Sequence, residues 1–355
     1  MLDENQAAAA EPPPIPARPN PRLALAVWLL LIFLPGIGGL VLHLQELSGL
    51  VALAGLFIAA QAADMDPQWF PLNSVLSLVV PVGGSASFAM LAAFVFQGDA
   101  PRAQRFTAAG FCALAAVFAL LSWTGPVVRW LERALFRTSD DSNTLRLSAR
   151  LVALSLLVSL PGVIAFQRLM APLLETPELL TGSGVLSGEL LGYLVLTLAG
   201  VGFLVRRDAR QTMERLGLKP LHSREVWVIV IGAAALFALN AGTEWIQRVV
   251  FHSLWVHDRQ VNEAMVVGMS ARSAVLLGVT AGVGEELTMR GALQPRLGLL
   301  LTSALFASLH VQYSWFGMLV VMLIGAVLGW LRNRTSTTVC VAVHALYDMA
   351  AIFST

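Results

Sequence analysis

The chain has 355 residues, of which 57% are hydrophobic and only 13% charged, about half the charged fraction of an ordinary soluble domain. A mean hydropathy of +0.72 all but excludes a soluble globular enzyme and leaves room for disorder only locally. A formal net charge of +1 provides no basic field for nucleic-acid phosphates, so no nucleic-acid partner is expected.

Residues 1–22 are dominated by Ala and Pro and are expected to form a disordered tail. Asp3 and Glu4 open it, and the apolar run from Leu23 outlasts a signal-peptide core, so it is not a secretory signal. Stretches without Asp, Glu, Lys or Arg follow at 23–45, 47–63, 73–98, 106–128, 151–167, 190–205, 226–243, 273–284, 297–331 and 335–347. A spanning helix needs about 20 mostly apolar residues. Several of these runs reach that length alone, and 297–331 suits two short helices with a turn near Gln312–Ser314. The fold class is therefore all-α: a polytopic integral membrane bundle of about nine to eleven transmembrane helices in a lipid bilayer. Long apolar runs without strict alternation argue against a β-barrel.

Arginine sets the expected orientation. Arg129, Arg133, Arg137, Arg146 and Arg150 mark one basic segment, and Arg206, Arg207, Arg210, Arg215, Lys219 and Arg224 mark another. The positive-inside rule makes both cytoplasmic, and Arg18 and Arg22 place the N-terminus there too. The segment 171–184 has two Glu and no base, which suits the outer face. The stretch 206–224 reads as an amphipathic connector between an N-terminal transmembrane module, 23–205, and a C-terminal core, 225–355. No clear internal repeat is visible, although Pro81-Val-Gly83-Gly84 is expected to interrupt one span. Cys112 and Cys340 lie in apolar runs and read as small buried hydrophobes, not as a disulfide or a thiolate zinc site.

Ionisable groups inside a span cost at least about 2.5–3.5 kcal/mol each. Most runs have none, but the last third holds Glu285, Glu286, Arg290, His310, His344 and Asp348. On a helix, Glu286 and Arg290 stand at i and i+4 and can pair. Glu285 is turned about 100° away, free of the Arg and suited to general-base work. His344 and Asp348 are also i and i+4, so Asp348 could orient the imidazole, or both could bind a metal. Each feature has a plainer reading taken singly. The Glu-Glu-Arg segment could be a helix end with snorkelling charges, His310 a helix-end histidine bonded to a carbonyl, and His344–Asp348 a structural hydrogen bond. Three costly features in three separate apolar segments are better explained if they meet.

In order, Glu285-Glu286-Leu-Thr-Met-Arg290, Phe306-Ala-Ser-Leu-His310 and His344-Ala-Leu-Tyr-Asp348 resemble the motifs of the CPBP family. These are intramembrane proteases of the CAAX prenyl protease 2-like and bacteriocin-processing kind. Leu216-Gly217-Leu218-Lys219 resembles the connector that often precedes their core. The resemblance covers about residues 210–355 and leaves the N-terminal spans without an assigned role.

The resemblance implies an endopeptidase with its site inside the membrane, acting on a membrane-anchored protein or peptide. It makes Glu285 the activator of water and His310 its helper. His344 and Asp348 would stabilise the oxyanion, and Glu286 and Arg290 would shape the site and its substrate contacts. Where this chain has Asp348, many members have Asn, whose amide can donate to an oxyanion as an ionised carboxylate cannot. Asp348 must then be protonated, orient His344, or ligate a metal. A metal-independent glutamate mechanism without cofactor is the favoured expectation. The alternative is Zn²⁺ held by Glu285, His310, His344 and Asp348, a set of suitable donors without the His-Glu-x-x-His signature.

A single lysine among 23 basic residues hints at a prokaryotic origin and a cytoplasmic (inner) membrane, where prenylated proteins are not the expected target. Sorting, peptide maturation or bacteriocin immunity suits the sequence better. Two other classes stand beside the protease: a non-catalytic membrane scaffold or immunity protein of the same fold, and a proton-coupled transporter relaying protons through the buried carboxylates.

Overall fold

A computed structural model describes residues 21–97, 101–136, 142–174, 183–266 and 269–354, with no side-chain description for 21–22 and 160–183. The expected Pro/Ala tail and most of the acidic segment 171–184 thus lie outside the described residues. The described chain is helical. The first part runs through α1 (Pro21–Val41), α2 (Gln45–Met65), α3 (Phe70–Ser77), α4 (Val79–Phe96), α5 (Arg102–Leu121), α6 (Gly125–Phe136), α7 (Asn143–Leu174) and α8 (Ser183–Val201). After the short α9 (Ala209–Leu216) come α10 (Ser223–Val250), α11 (His252–Val266) and α12 (Ala271–Thr280). The last part is α13 (Gln294–Leu297), α14 (Leu299–Ser308), α15 (Trp315–Arg334) and α16 (Thr337–Ser354). Among the described residues, eight helices are long and apolar enough to cross a membrane. A ninth span results if α11 and the segment Ala271–Leu297, bent by 114°, count as one. This is an integral membrane protein.

Two local expectations change. Pro81, Gly83 and Gly84 do not interrupt their span, because α4 runs through them and the break falls before it at Leu78. Pro81 sits in the first turn of α4, where its missing N–H removes no intrahelical bond. A Cβ at Gly84 would lie 2.9 Å from Leu154 Cδ1, so this glycine allows α7 to approach closely. The apolar run 297–331 does turn where expected, with Ser314 capping α15 through Gly317 N–H. Its first half, α14, has only ten residues. That is about 15 Å of helix, half a hydrocarbon core of about 30 Å, so α14 is too short to span alone.

The two halves of the chain share a core. Leu131, Phe136, Leu145, Ala149 and Val152 of α6 and α7 pack with Met289, Leu297, Leu305 and Phe306 in one buried cluster. A second cluster joins Leu236 of α10, Phe316 to Leu331 of α15, and Val339, Val343 and Tyr347 of α16.

The arginine-rich segments gather at one end. Asp64, at the end of α2, accepts hydrogen bonds from Ser142 Oγ, the Asn143 and Thr144 backbone N–H groups and Thr144 Oγ1, capping α7. Arg206 Nη2 pairs with the same carboxylate at 2.9 Å. A cap alone is worth about 0.5–2 kcal/mol. Asp64→Ala also strands Arg206, so it should lower stability by about 2 kcal/mol or more, seen as a reduced thermal midpoint of the detergent-purified protein.

Candidate active site

The site is built where α12 leaves α-helical geometry. After Thr280 the backbone takes π-helical turns over Ala281–Glu285 and Leu287–Leu293. These wider i→i+5 turns are found frequently at functional sites. They replace the regular helix, with its 100° steps, expected from the sequence. Small residues let this segment lie against α16. A Cβ at Gly282 would stand 2.7 Å from Val341 O and 2.8 Å from Ala345 Cβ, and one at Gly278 would stand 2.9 Å from Ala345 O. Gly284 gives the same close approach to the Tyr193 ring of α8. Gly282→Ala should therefore force the π turns and α16 apart and cost about 1–3 kcal/mol. Gly242→Ala, with nothing within 4 Å of its Cβ, should not lower the thermal midpoint measured in parallel.

This contact sets carboxylates against an imidazole. Glu286 and Arg290 pair at i and i+4, Oε2 to Nε 3.2 Å, with both side chains fully buried. Neither group makes a hydrogen bond across that pair, so charge rather than a directed bond holds it. The Arg290 guanidinium also lies over the Phe306 ring, with Cζ 5.0 Å from its centroid. Both side chains lie behind the site, with Glu286 joined to His344 and Arg290 to Phe306.

The other oxygen of Glu286 accepts a hydrogen bond from His344 Nδ1 at 3.0 Å. A carboxylate paired with Arg290 can only accept, so Nδ1 carries the proton. The ring is thereby oriented with Nε2 toward Glu285 Oε2 at 3.9 Å and Asp348 Oδ2 at 3.5 Å. The orienting bond comes from Glu286, a partner 58 positions away, while Asp348 lies at the opposite nitrogen. Glu285 keeps some exposure, 16% of its side chain.

His310 joins this group indirectly. Its Nδ1 donates to the Phe306 carbonyl at 2.8 Å, which is the plainer reading of a helix-end histidine. That bond leaves Nε2 of the neutral ring with a lone pair. The Phe306 ring centroid is 4.7 Å from that of His310 and 6.1 Å from that of His344, and both pairs meet edge-on. Phe306 thus touches Arg290, His310 and His344 at once. Among the described residues no hydrogen bond or ion pair links His310 directly to Glu285, His344 or Asp348.

Groups not anticipated from the sequence hold the surrounding frame. Asp258 of α11 accepts from Ser314 N at 2.6 Å, Ser314 Oγ at 2.7 Å and Gln247 Nε2 at 2.6 Å. Tyr313 donates to Asn262 Oδ1 at 2.8 Å and stacks on His310. The loop carrying His310 is thereby fastened to α11. At the basic end, Arg215 donates to the Gly291 and Ala292 carbonyls, 2.9 Å each. Gly217, left-handed at φ +69, ends α9 and accepts from Thr337 N at the start of α16. A buried Asp and a serine N-cap were the signals available for the first of these fastenings.

The donor chemistry of Glu285, His310, His344 and Asp348 suits zinc. Among the described residues, no three His, Cys, Asp or Glu side chains are grouped to hold a metal ion. His344 already spends Nδ1 on Glu286.

Comparison with known proteins agrees with the motif resemblance. Residues 267–350 match the family model described as type II CAAX prenyl endopeptidase Rce1-like. The uncharacterized protein YpbD of Bacillus subtilis (strain 168) is 25% identical over 165 residues, which is 45% of this chain and 82% of that protein. No solved structure matches. The matched segment contains the π turns, His310 and the His344–Asp348 helix. The chain is thus a membrane protein in which residues 267–350 are similar to the CAAX-protease type.

Proposed function

We propose that this protein is an intramembrane endopeptidase that hydrolyses a peptide bond of a membrane-associated protein or peptide, with Glu285 activating the water. The observation that carries the reading is the approach of Glu285 to His344 Nε2 on an imidazole fixed from behind by Glu286 and Arg290. Glu285 takes a proton from water as the water oxygen bonds to the scissile carbonyl carbon and the carbonyl electron pair moves onto oxygen. When the tetrahedral species collapses, the C–N bond breaks and Glu285 returns the proton to the departing amine. His344, when protonated at both nitrogens beside Glu286 and Asp348, donates Nε2–H to the developing oxyanion, and His310 assists in holding the water. Asp348 serves in this scheme by charge at His344 Nε2 rather than as an oxyanion donor.

The family description names CAAX prenyl substrates. The arginine-rich, lysine-poor sequence favours instead a prokaryotic inner-membrane protein acting in sorting, peptide maturation or bacteriocin immunity. The gathering of the basic segments at one end supports a cytoplasmic N-terminus. The test is proteolysis of membrane fractions by the purified full chain, read by terminal-peptide mass spectrometry. Wild type, Glu285→Gln and His310→Ala are compared with and without a strong chelator. Cleavage lost in both variants and kept in chelator supports the glutamate mechanism. Loss in chelator reversed by Zn²⁺ replaces it with a metal mechanism, and identical products from all three proteins remove the protease and favour the scaffold.

A further inference from the structure

Outside the site, at the basic end, a cavity of about 370 Å³ is lined by Phe136, Arg215, Pro295 and Arg296. Its size falls in the usual range for small-ligand pockets, about 300–1,000 Å³. Arg207 and Arg332 stand close enough to act on Arg215 by charge. Burial and these neighbouring arginines push the Arg215 guanidinium down to about 10. Among the described residues no carboxylate pairs with Arg207, Arg215, Arg296 or Arg332, although Arg206 and Arg210 nearby have Asp64 and Glu214. Arg215 spends two of its N–H groups on the Gly291 and Ala292 carbonyls and has three left. Convergent positive charge of this kind favours a bound anion.

We propose that this pocket binds the phosphate of an anionic lipid headgroup. Guanidinium groups match phosphate oxygens in paired hydrogen bonds, and basic pockets between transmembrane helices suit anionic headgroups. Phe136 and Pro295 supply an apolar wall for the glycerol portion. A short way along the chain from Arg296, Leu300 is 69% exposed at the start of α14, which offers an acyl chain an apolar path into the bilayer. The headgroup would then sit against Arg215, one hydrogen bond from the end of the π turns.

The full chain is reconstituted in nanodiscs of phosphatidylcholine doped with phosphatidylglycerol or cardiolipin, and retained lipid is counted by native mass spectrometry. Wild type should retain the anionic lipids, and Arg296→Glu should weaken retention at least about tenfold. Arg210→Glu, an exposed residue outside the pocket, should leave retention unchanged. Because Arg215 also fastens the fold, Arg296→Glu carries the test, and its thermal midpoint without anionic lipid must equal wild type. Equal retention by both proteins, or equal retention of phosphatidylcholine, overturns the proposal. So does displacement of lipid by millimolar inorganic phosphate, which would assign the pocket to a soluble phosphate.

Discussion

Glutamine in place of Glu285 lowers the rate of peptide cleavage by about 10²–10⁴-fold, the usual contribution of a positioned general base, and leaves the thermal midpoint nearly unchanged. Both halves follow from the site. Glu285 approaches His344 Nε2 at 3.9 Å without a hydrogen bond, and its side chain keeps 16% exposure. A neutral isostere therefore removes the base without unpairing a buried charge. Glu286→Gln behaves differently despite being the adjacent residue. It removes the counter-charge of Arg290 and weakens the bond that orients His344, so activity and stability fall together. Cleavage by Glu285→Gln at the wild-type rate, measured on the same substrate peptide, would falsify the assignment.

The largest loss of stability is expected from unpairing Arg290 and Glu286. Arg290→Ala leaves Glu286 buried with no cation and opens a void against Phe306, whose ring the guanidinium covers at 5.0 Å. Breaking a buried pair from one side costs about 3–5 kcal/mol. A thermal or denaturant midpoint should therefore drop well beyond that of any surface variant. Arg290→Met with Glu286→Gln keeps the volume and removes both charges, and it should recover much of the loss. If the double variant is no more stable than Arg290→Ala, packing on Phe306 rather than charge pairing governs this position.

Much of the architecture was legible because membrane solvation writes directly into composition. Uncharged runs of spanning length and two arginine-rich segments announce a helical bundle and its basic end. Local pairings were legible where four residues separate the partners, as with Glu286–Arg290 and His344–Asp348. The Glu286–His344 bond was not, because it depends on how Gly278 and Gly282 let two distant segments meet. Nor does Ala281-Gly-Val-Gly-Glu285 distinguish π turns from an α-helix, since packing against α8 and α16 decides between them. The turn between α14 and α15 was legible inside one long apolar run. The shared core of α6 and α7 with Phe306 has no periodic signature at all. It gives the N-terminal spans a physical task as the wall behind the His310 motif.

The chain of contacts from Phe306 through Arg290 and Glu286 to His344 also limits how this sequence can drift. Losing Arg290 alone strands an acid, losing Glu286 alone strands a base and frees His344, and losing His344 removes one acceptor's partner. Every single step away descends in stability before a second step can recover it. Arg290 and Glu286 are therefore exchangeable only jointly, and a lineage that abandons hydrolysis should still retain them. Glu285, which stabilises nothing comparable, would be the first of the group to change.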